Sequence, residues 1–229
     1  MEIAVPSGVN EKVFRVGEEF MHFAHDLFGT YLDALGGLRY SRDQVIEFQR
    51  KKIDEIKSTE PEHASEAFMD TQSLTHEFEP TPDAPQELLH RSTQGEFKSR
   101  TAADGADARI LGYMMIALLY GAWEDEYRNR FATALGHASK NDVRSDLFGD
   151  VAQLRHAIIH HRGVATEKVE HARMLKWFRR EEKIFITSAQ VNSLYHQVDA
   201  CITQLCGIPE DVVLRSNQAI ERTADRRTL

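Results

Sequence analysis

The chain has 229 residues, of which 41% are hydrophobic and 28% charged, a composition typical of soluble globular proteins. Its net charge of −8 argues against a protein that coats long nucleic acids, because such binding depends on neutralising many phosphates. The longest nearly apolar run, residues 110–123, is too short to span a bilayer. The N-terminus lacks the pattern of a secretory signal, so we expect a cytoplasmic protein that does not enter a membrane.

Helical periodicity dominates the first part of the chain. Between residues 10 and 35, apolar side chains recur every three or four positions, and Asn10 is suited to cap this helix. Ser41 followed by Gln44 resembles a capping box, which predicts a second helix over 42–58. We therefore expect residues 1–70 to form a helical N-terminal extension.

Residues 71–104 lose this periodicity. Pro80, Pro82 and Pro85 lie close together, and residues 92–105 are polar and contain two glycines. A connection of this length inside a compact domain is usually functional or disordered. We therefore predict an irregular connector that is either mobile or a lid over a substrate.

Residues 105–229 return to helical periodicity and are predicted to form the core of the protein. Residues 183–187 are the one strand candidate, as half of a small β-hairpin or as an extended connector. The expected fold class is all-α, with the whole chain in one compact domain. The helices predicted here are 106–136, a helix that begins at Asn141 or Asp142 and ends near Gly163, and 189–207 with Ser188 as its cap.

Charge is unevenly distributed along the chain. Residues 1–104 carry a net charge of −9, whereas residues 105–229 carry +1. Between residues 155 and 183 there are eight Lys and Arg residues and four Asp and Glu residues. An anionic ligand is therefore expected to approach the C-terminal part of the chain.

The stretch 151-VAQLRHAIIHHRGVA-165 places Arg155, His156, His160 and His161 in a helix that also has an apolar stripe. His156 and His160 are four residues apart and therefore share one face of that helix. Arg155 lies about 140° from His160 on an ideal helix. Its long side chain can still reach the same cleft, because the helix is close to its end.

Two interpretations of this stretch need no catalysis. Histidines near a helix C-terminus interact favourably with the helix dipole, and Arg155 can pair with a carboxylate of the core. His156 and His160 at i and i+4 can also share a metal ion, as in a metal-binding helical bundle. The metal interpretation lacks the glutamate of the HExxH motif, and the adjacent Arg155 repels a cation.

The pattern Arg155-His156-Ala-Ile-Ile-His160 resembles the Rx4–6H signature of the HEPN superfamily (higher eukaryotes and prokaryotes nucleotide-binding). Many members have Asn directly after the arginine, where this chain has His156. The preceding segment, 113-YMMIALLYGAWEDEYRNRF-131, is similar to the helix before the motif in certain bacterial HEPN proteins. The resemblance covers residues 95–206 and implies a HEPN-like helical bundle.

This resemblance implies a metal-independent endoribonuclease that cleaves single-stranded RNA or tRNA without a cofactor, as a bacterial toxin or phage-defence effector does. The 2′-hydroxyl of the RNA would attack the adjacent phosphorus and leave a 2′,3′-cyclic phosphate. In that reaction His160 would transfer protons, Arg155 would bind the phosphate, and His156 would orient the site. The alternative within the family is a non-catalytic scaffold or nucleotide-binding module.

HEPN proteins usually dimerise, which implies a homodimer with a composite active site, and a toxin also implies an antitoxin or regulatory partner. Glu124 is expected either to fix Arg155 or a histidine, or to pair with Arg128. His161 is expected to support the site or to cap the helix. The residues predicted to bind RNA follow the motif and are Arg162, Arg173, Lys176, Trp177, Arg179 and Arg180.

Aromatic residues divide into two groups. Tyr113, Tyr120 and Trp123 recur at helical spacing and are assigned to the core. Trp177 and Phe178 lie among basic residues and are the candidates for stacking on an unpaired base.

Overall fold

The structure, a computed structural model, describes residues 5, 6, 8–78 and 87–208. Within these residues the protein is mostly helical and contains one two-stranded antiparallel sheet, which confirms the all-α class. A membrane-crossing length of apolar helix is absent from the described part of the chain. The elements are α1 (Glu11–Ile56), α2 (Glu66–Asp70), β1 (Ser73–Phe78), β2 (Glu87–Thr93), α3 (Gln94–Arg100), α4 (Ala106–Ala122), a π-helix (Trp123–Tyr127), α5 (Arg128–Leu135), a 3-10 helix (Lys140–Asp142), α6 (Asp146–His160), α7 (Glu167–Glu170) and α8 (Ser188–Leu205).

Helix α1 is one continuous helix where two were predicted. Asn10 caps it as expected, since its side-chain oxygen accepts the backbone N–H of Lys12 at 3.0 Å. Ser41, predicted to start a second helix, lies in the interior of α1. A Ser–Gln pair caps a helix only where the preceding backbone is not helical, and no proline interrupts residues 11–56. Gly36 and Gly37 weaken the helix by about 1 kcal/mol each and do not end it.

The segment predicted as an irregular connector, 71–104, contains the sheet instead. Strands β1 and β2 pair with Ser73 opposite Thr93, and the pairing is irregular between His76 and Glu77. Thr93 then caps α3 in a capping box with Glu96. The sequence did not reveal these strands because they are short and polar, and lack a clear alternation of apolar and polar residues. Pro80, Pro82 and Pro85 lie outside the described residues.

The predicted strand at 183–187 is not a regular strand. It contributes one isolated antiparallel bridge, between Val164 and Lys183. Ile184 and Ile186 are nevertheless buried. The alternation of apolar residues that predicted a strand therefore arises because an extended connector buries every second side chain. This is the second of the two possibilities that the sequence allowed.

The chain forms two compact units, and their limits differ from the predicted domains. One unit comprises Met1–Thr30 and Tyr113–Leu229, and the other comprises Tyr31–Gly112. The first turns of α1 thus belong with the predicted core rather than with an extension, because Phe20 and other apolar side chains there are fully buried. Both boundaries fall inside helices, α1 and α4, where periodicity alone gives no signal.

An aromatic cluster lies at the centre of the first unit. The rings of Trp123 and Phe148 stack in parallel with their centres 4.0 Å apart. Phe20 meets both of them edge to face, at 5.8 Å from Trp123 and 5.7 Å from Phe148. Such pairs contribute about 0.5–1.5 kcal/mol beyond the burial of their surface. The cluster therefore fixes α6, which carries Phe148, against α1 and the π-helix.

The second unit is held by a buried polar network. The side chain of Gln49 on α1, 2% exposed, donates hydrogen bonds to Asp70 at 2.9 Å and to Gln94 at 3.0 Å. The ammonium group of Lys98 on α3 donates to the side-chain amide oxygen of Gln49 at 2.8 Å and pairs with the carboxylate of Asp70 at 2.6 Å. These contacts lower the pKa of Asp70 and join α1, the end of α2 and α3.

Candidate active site

The candidate site lies at the C-terminal end of α6. Ser145, rather than the predicted Asn141 or Asp142, caps this helix by accepting the N–H of Phe148 at 3.3 Å. The apolar stripe of α6 is buried as expected, so the other face of the helix is free to carry polar chemistry. The residues of that stripe are Leu147, Val151, Leu154 and Ile158.

Three histidines form a cluster on the exposed side of the helix end. The ring centres of His156 and His160 are 4.8 Å apart, and those of His156 and His161 are 5.3 Å apart. Loss of hydration, and then the positive charges of His160, His161, Lys168 and Arg155, lower the pKa of His156 below its ordinary value. His156 is therefore favoured in its neutral form, which can accept a proton or a hydrogen bond.

Arg155 contacts an aromatic ring of the neighbouring helix. Its guanidinium carbon lies 5.8 Å from the centre of the Tyr120 ring, within the range of a cation–π contact. Tyr120 was predicted to be core, but it is only half-buried. Burial, and then the charge of Glu124, raise the pKa of Tyr120, so its phenol stays neutral. The contact aligns the guanidinium without neutralising its charge.

Glu124 lies in the π-helix that follows α4. Its carboxylate pairs with Arg128 at 2.8 Å and with Lys140 at 2.9 Å. Partial burial acts to raise the pKa of Glu124, but the hydrogen bonds from Lys140 and Arg128 lower it. The structure thus shows the pairing with Arg128, and a contact from Glu124 to Arg155 or to a histidine is not among those of the described residues.

Two adjoining cavities collect most of the predicted RNA-binding residues. The first, here named the histidine cavity, has a volume of about 420 Å³ and is lined by His160, His161, Arg162 and Arg180 among others. The second, named the tryptophan cavity, has a volume of about 690 Å³ and is lined by Lys176, Trp177, Arg179 and Arg180. Arg180 and Glu181 line both, so the two cavities are neighbours, and the histidine cavity is the one that includes His160.

Two residues of the predicted RNA-binding region differ from the expectation. Arg173 lines neither cavity, and its guanidinium pairs with Asp146 on α6. Phe178, a candidate for stacking, lines the tryptophan cavity but is only 8% exposed and belongs to the core. Its neighbour Trp177 is half-buried, so it is the aromatic side chain that remains accessible for a base.

Asp150 is a buried acidic residue that the sequence interpretation missed. It is 6% exposed, and its carboxylate accepts three backbone N–H groups, from Arg173 at 3.0 Å, Met174 at 2.6 Å and Leu175 at 2.9 Å. These bonds hold residues 173–175, which precede Lys176, Arg179 and Arg180, against α6. Asp150 lies three residues after Leu147 and four before Leu154, so its place on the buried stripe was the available signal.

The segment after α6 is fixed by a close approach. Gly163 adopts a φ of +70°, and a Cβ atom at this position would clash severely with the phenol of Tyr113. The same hydroxyl donates a hydrogen bond to the Ile184 carbonyl at 2.9 Å. Only glycine satisfies both the backbone conformation and the space, so the turn beside the histidines has a defined path.

Among the described residues, no group of three or more His, Cys, Asp or Glu side chains is arranged to hold a metal ion. Comparison of the chain with protein-family models, with curated proteins and with solved structures finds no match. The assignment of function therefore depends on the chemistry of the residues themselves.

Proposed function

We propose that the protein is a metal-independent endoribonuclease that cleaves single-stranded RNA or tRNA. The observation that carries this proposal is the cluster of three histidines on the exposed end of α6, where His160 and His161 also line the histidine cavity. Arg155 precedes His156 on the same helix, and its charge is one of the causes that lower the pKa of His156. The likeness of this motif to the HEPN signature supports the same activity.

The reaction proposed is a transesterification within the RNA. The 2′-oxygen attacks the neighbouring phosphorus, the bond from phosphorus to the 5′-oxygen of the next nucleotide breaks, and a 2′,3′-cyclic phosphate and a 5′-hydroxyl result. A base removes the proton of the 2′-hydroxyl, and an acid protonates the leaving 5′-oxygen. Histidine suits both roles because its ordinary pKa lies close to neutrality.

Each residue of the cluster has a distinct role in this proposal. The guanidinium of Arg155 binds the phosphate oxygens and stabilises the negative charge that develops on them. His160 transfers a proton at the reacting oxygen. His156, whose pKa is lowered by loss of hydration and then by nearby positive charges, orients His160 or accepts the proton of the 2′-hydroxyl.

We further propose that two copies of the chain complete the site. One Arg–His pair supplies fewer groups than an acid, a base and a phosphate clamp require. Apolar side chains are half-exposed on two helices of this unit: Ile159 on α6 is 48% exposed, and Met114 and Leu118 on α4 are 53% and 54% exposed. A second copy would cover these side chains. Because Ile159 adjoins His160 in the chain, such a contact would bring two clusters together around a two-fold axis.

Incubation of the purified protein with total RNA in the presence of EDTA tests the activity. We expect fragments that end in a 2′,3′-cyclic phosphate and begin with a 5′-hydroxyl. Arg155→Ala and His160→Ala should each abolish cleavage without loss of fold, because both side chains lie at the surface of the helix. Arg39→Ala and His137→Ala, which change exposed residues elsewhere, are the matched controls.

Two results would contradict the proposal. One is near wild-type cleavage by either variant of the cluster. The other is an activity that EDTA removes and magnesium restores, since the proposed chemistry uses only protein side chains and the RNA 2′-hydroxyl. Mixing Arg155→Ala with His160→Ala subunits tests the composite site. The mixed dimer keeps Arg155 on one subunit and His160 on the other, so it should regain part of the activity if these two residues can act together across the interface.

A further inference from the structure

The histidine cavity combines strained backbone with polar side chains. Among the described residues, only Arg162 and Glu181 are non-glycine residues with a positive φ, at 54° and 68°. Both line this cavity, together with His160. Left-handed backbone costs about 1–2 kcal/mol at a residue with a side chain, and such strain is concentrated at functional sites. The presence of two such strained residues around one cavity favours a binding site there.

The strained residues are held by a short ladder of backbone hydrogen bonds. The Ala165 N–H donates to the Glu182 carbonyl, and the Glu181 N–H donates to the Ala165 carbonyl, both at 2.8 Å. The Ile184 N–H donates to the Gly163 carbonyl at 2.8 Å as well. The walls of the cavity are therefore set before a ligand arrives, which reduces the entropy lost on binding.

The charges of the cavity indicate what it binds. Its lining has the cations Arg162 and Arg180 but also the carboxylates Glu167 and Glu181. Carboxylates repel a bare phosphate, so a site for phosphate alone would not include two of them. The ion pair between Arg180 and Glu181 is loose, at 3.8 Å, and both side chains are mostly exposed, so both are available to a ligand.

We propose that the histidine cavity binds a guanine base of the RNA beside the cleaved phosphate, an inference that rests on the proposed function. Guanine presents the acceptors O6 and N7, which match an arginine, and the donors N1–H and N2–H, which match a carboxylate. Uracil offers one N–H between two carbonyls, and adenine and cytosine lack the pair of adjacent donors. A volume of about 420 Å³ is within the range of small-ligand sites.

Calorimetric titration with the four nucleoside 3′-monophosphates tests the site without requiring cleavage. Guanosine 3′-monophosphate should bind about ten-fold or more tightly than uridine 3′-monophosphate, the difference expected of a good bidentate contact. Glu167→Gln and Glu181→Gln should each reduce this preference several-fold. Glu62→Gln is the matched control, because Glu62 is an exposed glutamate that lines neither the histidine cavity nor the tryptophan cavity.

Sequencing of cleavage products from a random RNA pool gives the second readout, with guanine expected beside the cut. Equal affinity for the four nucleotides, or a guanosine preference that survives both glutamate changes, overturns the subsite. RNA cleavage without a guanine preference in either measurement would support the ribonuclease activity and contradict the guanine site. Selective binding of guanosine 3′-monophosphate without any RNA cleavage would support the guanine site and contradict the ribonuclease activity.

Discussion

The guanidinium of Arg155 is held over the ring of Tyr120, with its central carbon 5.8 Å from the ring centre. The two residues come from α6 and α4, so the contact fixes the arginine relative to a second helix. An arginine that is aligned in this way loses less side-chain entropy when it binds a phosphate. Tyr120 is thus a positioning residue in the proposed mechanism.

Tyr120→Leu should lower the kcat of the proposed RNA cleavage about two- to five-fold, because an exposed cation–π contact contributes about 0.5–1 kcal/mol. Tyr120→Phe retains the ring and should remain within about two-fold of wild type. Steady-state kinetics on a short RNA oligonucleotide measures both. If Tyr120→Phe lowers kcat as much as Tyr120→Leu does, the phenolic hydroxyl rather than the face of the ring is the group that supports catalysis.

The pKa of His156 should lie below its ordinary value of 6.5 in an NMR titration of the histidine ring protons. The charge of Lys168 is one of the causes, so Lys168→Gln should raise this pKa. Lys176→Gln, a change of another exposed lysine, should not. Because the folded protein binds this proton more weakly than the unfolded chain, the free energy of unfolding should fall as the pH drops through 6.5. An unchanged titration in Lys168→Gln would contradict this explanation.

If the proposed dimer forms, Leu118→Arg should convert it into a monomer and abolish the proposed RNA cleavage. Leu118 is 54% exposed, so the change places a charge in the proposed interface without opening a cavity in the core. Leu135→Arg, at a 38% exposed leucine of α5, is the control and should leave the dimer intact. Sedimentation velocity distinguishes the two states, and a fully active monomer would exclude the composite site.

Asp150→Ala should lower the free energy of unfolding by roughly 3 kcal/mol, because it leaves three backbone N–H groups without their acceptor. Asp146→Ala removes an exposed carboxylate of the same helix, which pairs with Arg173, and should cost no more than about 1 kcal/mol. Urea denaturation measures both values. Equal effects of the two changes would show that the three bonds contribute little.

Arg162→Gly should stabilise the fold by about 0.5–1 kcal/mol, since glycine adopts a φ of 54° without strain. The same change should weaken RNA binding several-fold, because it removes a cation from the histidine cavity. Arg179→Gly, at a residue outside the left-handed region, should weaken binding without stabilising the protein. Thermal melting and RNA titration together separate the two effects.

The sequence revealed what depends on local spacing. The buried stripe of α6, the cap at Asn10 and the shared face of His156 and His160 follow from the helical repeat, and the structure shows all three. The contact of Arg155 with Tyr120 joins residues 35 apart, and periodicity cannot indicate which neighbour an exposed arginine finds. The strands at 73–93 are stabilised by pairing with each other, and their polar residues leave no apolar alternation to detect.

The positions of Ser41 and Phe178 also differ from what the sequence around them suggests. Ser41 has the sequence of a cap but no terminus to cap, because the helix formers around it continue α1. Phe178 stands among cations in the sequence but is buried, and the chain just before it, at 173–175, is held by Asp150 on α6. A long-range contact therefore bears on Phe178, whereas the continuing helix decides the place of Ser41.

The π-helix Trp123–Tyr127 has a consequence for how this chain tolerates insertions and deletions. A π turn holds one more residue than an α turn, so α5 is rotated by about 100° relative to a regular continuation of α4. Deletion of Asp125 would convert the π turn into a regular α turn and leave Phe131, whose ring lies 5.9 Å from that of Trp123, facing the aromatic cluster. Deletion of one residue from the regular part of α4 would instead rotate α5 by about 100° and turn Phe131 away. Residues 123–127 are therefore the place where this helix can lose one residue and keep the same face towards the core.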